Sequence, residues 1–123
     1  MRNLIALLAA LALFSIVTPA VAAEKLQHVV SFKFKKTATA EDIKKVETAF
    51  AELKTKIPGI QELQWGTNVS PEKHDKGFTH CFILTFKTAK DRDIYLEHAD
   101  HKEFGKLVGR LLEDVFVIDF WVK

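Results

Sequence analysis

The stretch Phe78-Thr-His-Cys-Phe-Ile-Leu-Thr-Phe86 decides the architecture. Phe78, Phe82, Leu84 and Phe86 alternate with Cys81 and Ile83, a period of two with large apolar side chains on both faces of a strand. The segment from Val115 to Val122 repeats the pattern, with Val115, Val117 and Trp121 on one face and Phe116, Ile118, Phe120 and Val122 on the other. Strands of this kind need cover on both sides. A small domain has helices enough for one face, so the other is expected to meet a second copy of the chain in a two-fold homodimer.

Working outward, His28 to Phe34 alternates His28, Val30, Phe32 and Phe34 with Val29, Ser31 and Lys33, which predicts the first strand. Thr39 followed by Asp42 is a capping-box pattern opening a helix from Ala40 to Ile57, whose apolar stripe is Ile43, Val46, Phe50, Leu53 and Ile57 and which Pro58-Gly59 stops. Leu63, Trp65 and Val69 mark a second strand, and Ser70 to Gly77 is a polar loop holding His74. Thr88 with Asp91, then Asp100 with Glu103, open two short helices before the last strand. The order is strand, helix, strand, strand, two helices, strand, an α+β domain.

Residues 1–22 are expected to be a signal peptide: Arg2 supplies the positive start, Leu4 to Val17 is apolar, and cleavage falls after Ala22 or Ala23. The protein is then exported, periplasmic or secreted, with one domain over 23–123 and no stable membrane insertion after cleavage. Without Arg2 the chain carries 17 basic residues against 16 acidic ones, so nothing in its charge favours nucleic acid or anionic lipid. Cys81 is the single cysteine; no internal disulfide is available, and its place in an apolar strand reads as buried and inert.

Chemistry concentrates in Tyr95-Leu-Glu-His98-Ala-Asp-His101. His101 shares a helical face with Phe104, Gly105 and Val108, and its place in the first turn, near unsatisfied backbone N–H groups, favours the neutral imidazole. His28 and His80 lie on the Val30/Phe32 and Phe78/Phe82 faces of their strands, so one shared face would bring both to Tyr95 and His101 in a ligand pocket. The same groups could instead satisfy one another as a structural network. His98 and His101, three residues apart, with His28 or His80 would also suit a metal.

These residues resemble the stress-responsive dimeric α/β-barrel (Dabb) domain family. The resemblance runs from about Gln27 to Val122 and rests on His28-Val-Val-Ser-Phe-Lys-Phe, Ile57-Pro-Gly-Ile, Trp65-Gly66, Gly77-Phe-Thr-His80, Tyr95 with His98 and His101, and Phe104. It implies a ferredoxin-like fold, a four-stranded antiparallel sheet with helices on one face, two such sheets forming a barrel across the dimer. Plant polyketide cyclases that this chain resembles work without metal or cofactor. By that resemblance His101 is the general base and Tyr95 the hydrogen-bond donor to a developing oxyanion, with His28, His80 and His98 in the pocket and Val30, Phe32, Val46, Phe50, Phe82 and Phe104 as its walls. Two departures stand out: Ala99-Asp100 where relatives often place a proline, and Glu47 beside Val46 on the pocket-facing helix. The expectation is an exported dimer whose pocket takes a small carbonyl or hydrophobic compound. The alternatives are a structural, protective oligomer without catalysis and a cofactor-independent cyclase-like lyase.

Overall fold

The computed structural model describes residues 9–17 and 24–123; the positive start and the cleavage site of the expected signal peptide lie outside them. No helix among the described residues is long and apolar enough to cross a membrane. Seven elements follow: β1 (Leu26–Phe34), α1 (Ala40–Lys56), β2 (Ile60–Thr67), β3 (His80–Phe86), α2 (Ala89–Glu97), α3 (Ala99–Gly109) and β4 (Leu112–Trp121). The strands form one antiparallel sheet in the order β2-β3-β1-β4, the ferredoxin-like arrangement expected above.

Local chemistry accounts for most boundaries. The Thr39 hydroxyl accepts from the Asp42 N–H while the Asp42 carboxylate accepts from the Thr39 N–H, so both halves of the capping box start α1. Gly59 follows the helix at φ +97, a left-handed conformation costly for any side chain, and a Cβ there would press on Asp91 at 3.2 Å. At α2 the Thr88 hydroxyl accepts from the Asp91 N–H. The second strand ends before Val69, because the Asn68 side chain accepts from the Ser70 N–H and turns the chain into the loop; Val69 is 90% exposed. Likewise β3 begins at His80, two residues later than the pattern suggests, since the Phe78 N–H closes a turn onto the Asp75 carbonyl.

The helix-side face of the sheet carries the core. Val46, Phe50 and Leu53 of α1 pack on Phe82, Leu84 and Phe86 of β3 and on Val30 and Phe32 of β1. At its centre the rings of Phe50 and Phe82 stack with centroids 4.0 Å apart and 5° between planes. The opposite face is open in the single chain. Its rows are set by register: Ile83, Val29 and Ile118 lie side by side, then Cys81, Ser31 and Phe116. Cys81 is therefore exposed on that face, and the expectation of a buried thiol is corrected: its strand is apolar on both sides, but this chain covers only one.

Candidate functional site

Strand β4 is the last strand of the sheet, and the helices cover its inner face incompletely. Val115 and Val117 stay about half exposed, and the gap is a cleft of about 710 Å³. Val30, Phe32, Phe50, Phe104 and Val108 make its apolar walls, and His28, Arg92, Tyr95, His101 and Asp119 make its polar end.

A single residue, His98, joins α2 to α3. Its N–H closes α2 onto the Tyr95 carbonyl, and its Nδ1 accepts from the Asp100 N–H to start α3. The cap expected at Asp100 is thus made two residues earlier by His98, and Asp100 falls inside the helix. This tight junction puts Tyr95 in the last turn of α2 and His101 in the first turn of α3, ring against ring with centroids 4.5 Å apart. His101 Nδ1 lies 3.0 Å from the Leu96 carbonyl oxygen. A carbonyl only accepts, so Nδ1 carries the proton and Nε2 of the neutral ring is left as the basic nitrogen.

Across Tyr95 lies His28, with ring centroids 5.7 Å apart. His28 Nδ1 donates to Asp119 Oδ1 at 2.6 Å, Arg92 Nη1 donates to Asp119 Oδ2 at 2.8 Å, and Arg92 Nε donates to Asp93 at 2.9 Å. Asp119 and Arg92 escaped the sequence reading. The available signal was the one acid in the otherwise apolar stretch from Val115 to Val122, at a position that alternation places on one face with Val115, Val117 and Trp121.

Burial shifts both central groups. It pushes the Tyr95 phenol well above its ordinary range, so the hydroxyl keeps its proton and stays a donor. It also lowers the His101 pKa below the ordinary 6.5; neighbouring His28 pushes the same way, and the Leu96 carbonyl and Glu97 oppose it. The folded state therefore binds fewer protons at this ring than the unfolded state. The ring's contribution to stability is intact above pH 6.5 and is lost as pH falls through the depressed value. The ring resonances of His101 are expected to titrate with a midpoint below 6.5, and a midpoint above it would contradict this assignment.

The structure separates several residues that the sequence grouped. Val46 and Phe82 are fully buried in the core and do not reach the cleft, whose walls are residues nearer β4. His98 caps a helix. His80 shares the inner face with His28, but register pairs His28 with Leu84 and Phe32 with His80, about 13 Å further along the sheet at 3.3 Å per residue. There it meets Glu47, whose carboxylate lies 2.8 Å from His80 Nε2. Glu47 is accordingly turned to an imidazole rather than to the cleft. Among the described residues no group of three His, Cys, Asp or Glu side chains could hold a metal ion.

Comparison with known proteins places this geometry. The chain is 32% identical over 95 residues to the stress-response A/B barrel domain-containing protein HS1 of Arabidopsis thaliana, covering 77% of this chain and 87% of that one. It is 24% identical to olivetolic acid cyclase of Cannabis sativa, with 77% and 94% covered. The solved hydroxynitrile lyase of Passiflora edulis has the same fold, with a TM-score of 0.77, 24% identity and 83% and 96% of the two chains covered. So has a dimeric ferredoxin-like protein of unknown function from Jannaschia sp. CCS1, with a TM-score of 0.71, 22% identity and 80% and 99% covered. The stress responsive A/B barrel domain matches residues 26–122, nearly all of the folded chain, and the protein belongs to that family.

Proposed function

We propose that this is an exported, homodimeric member of the family whose cleft binds a small, largely apolar carbonyl compound and acts on it without metal or cofactor. The observation that carries the reading is His101 itself: Nδ1 is committed to Leu96, which leaves Nε2 as the basic nitrogen of a ring that lines the cleft and packs on the ring of Tyr95, whose hydroxyl keeps its proton. A base and a neutral donor so placed can remove a proton next to a carbonyl, or from a hydroxyl on the carbon that becomes one, while the donor stabilises the charged oxygen. Val30, Val117 and Phe104 supply the surface for the rest of the ligand. The relatives named as a cyclase and a hydroxynitrile lyase support chemistry of this kind. The apolar open face of the sheet and the dimeric Jannaschia structure support the dimer.

The test is a thermal-shift screen of aliphatic and aromatic aldehydes and ketones on residues 24–123, repeated with Tyr95→Phe and His101→Gln. At least one compound is expected to stabilise the unsubstituted protein and to lose that effect in either variant. Any compound turned over should react about 10²- to 10⁴-fold more slowly with His101→Gln. If no compound stabilises the protein, or if the variants respond equally, the cleft is not a carbonyl site and the structural-oligomer reading takes its place.

A further inference from the structure

Away from the cleft the structure holds a second ordered chain of polar groups, Glu47, His80 and Thr79. Glu47 Oε2 lies 2.8 Å from His80 Nε2, and a carboxylate only accepts, so Nε2 carries the proton. Nδ1 of the neutral ring is then a lone pair. Thr79 Oγ1 lies 2.7 Å from it and donates its hydroxyl proton there. The imidazole is held firmly: it is 6% exposed, with the edge of Phe34 at 5.1 Å and the face of Trp65 stacked at 6.1 Å.

Thr79 differs from the other two in being exposed. It borders a separate cavity of about 650 Å³ between the loop after β2 and the open face of the sheet, together with Trp65, Asn68, Lys76, His80 and Cys81. A buried imidazole needs two hydrogen-bond partners. That need alone does not require the second partner to be an exposed hydroxyl at a cavity edge. The sequence of groups, a hydroxyl donating to an imidazole that a carboxylate orients, is the order that activates a nucleophile in acyl transfer.

We propose that Thr79 is a nucleophile toward small esters, with His80 as its general base and Glu47 as the residue that positions the ring. Thr79 Oγ attacks the ester carbonyl carbon while its proton passes to His80 Nδ1, and Glu47 faces the imidazolium so formed. Asn68 and Lys76, both donors, line the cavity where the oxyanion develops. Collapse of the tetrahedral intermediate breaks the bond to the leaving oxygen, which takes the proton from His80 as the alcohol departs, leaving an ester on Thr79. A water molecule, deprotonated by His80, then releases the carboxylic acid and restores the hydroxyl.

The cavity floor, with Ser31, Ile83 and Phe116, lies on the face that the proposed dimer covers, so the probe must be small. p-Nitrophenyl acetate with residues 24–123 is expected to give a burst of p-nitrophenolate close to one per chain and an acetyl group on the peptide containing Thr79. Thr79→Val, at an exposed position, should keep the fold by circular dichroism and lose the burst, whereas Thr79→Ser should retain it. Glu47→Gln should slow the burst by about a hundredfold or more with KM little changed, a split that mere loosening of the fold would not produce. No burst, a burst that survives in Thr79→Val, or acetyl found on Cys81, His74 or Lys76 instead overturns the proposal. The carbonyl-compound screen reports on the other cavity, so either proposal can fail while the other stands.

Discussion

Phe82→Ala is expected to lower the free energy of unfolding by about 3 to 5 kcal/mol, read from urea denaturation at fixed protein concentration. Phe82 has no exposed surface, and its ring meets four others: Phe50 at 4.0 Å, Phe32 and Trp65 at 5.4 Å each, and His80 at 6.3 Å. Its strand neighbours Val30 and Trp65 are fixed by the ladder and cannot move in to fill the space. The substitution thus removes the ring's burial and leaves a void in dense packing. Domains of this size are typically stable by about 5 to 15 kcal/mol, so the variant should sit close to the threshold of folding. A loss below about 1 kcal/mol would mean that the stacked aromatic pair is not the centre of the core.

The second large effect belongs to the open face. Ile118→Asp is expected to convert the dimer to a monomer, with the mass from sedimentation falling by half. Ile118 ends the row Ile83, Val29, Ile118 on the uncovered face, halfway along the edge strand β4, and is 48% exposed in the single chain. One chain therefore tolerates the charge. A two-fold interface places two such carboxylates out of water at once, and at about 2 kcal/mol or more each the dissociation constant rises by about a thousandfold. Unsubstituted protein that sediments as a monomer, or a variant that remains a dimer, would refute the sheet-to-sheet assembly.

The helix starts at Thr39 and Thr88, the stripe of α1 and the two-faced strands were legible because each depends on neighbours within a few residues. The start of α3 was misassigned for an equally local reason. Asp100 with Glu103 looks like a capping pair, but His98, with its ring nitrogen in reach of the Asp100 N–H, allowed the new helix to begin immediately after the old one. That junction brings Tyr95 and His101 together, so the nearness of these two was foreseeable from the sequence even though the cap was not.

The other members of the site show the limit. Alternation placed His28 and His80 each on a face of its own strand, and the structure puts both on the inner side, with Asp119 opposite His28. Alternation carries no information about how far one strand slides along another, and each residue of slide is about 3.3 Å. Register aligned His28 with Asp119 across β1 and β4, and it set His80 four residues away, in reach of Glu47 on α1. The sequence by itself determined the order of elements, the faces of the strands and the local pair Tyr95 and His101. The tertiary structure alone decided which histidine joins that pair and which pairs with Glu47 instead, because strand register and helix placement are settled by packing the whole sheet at once.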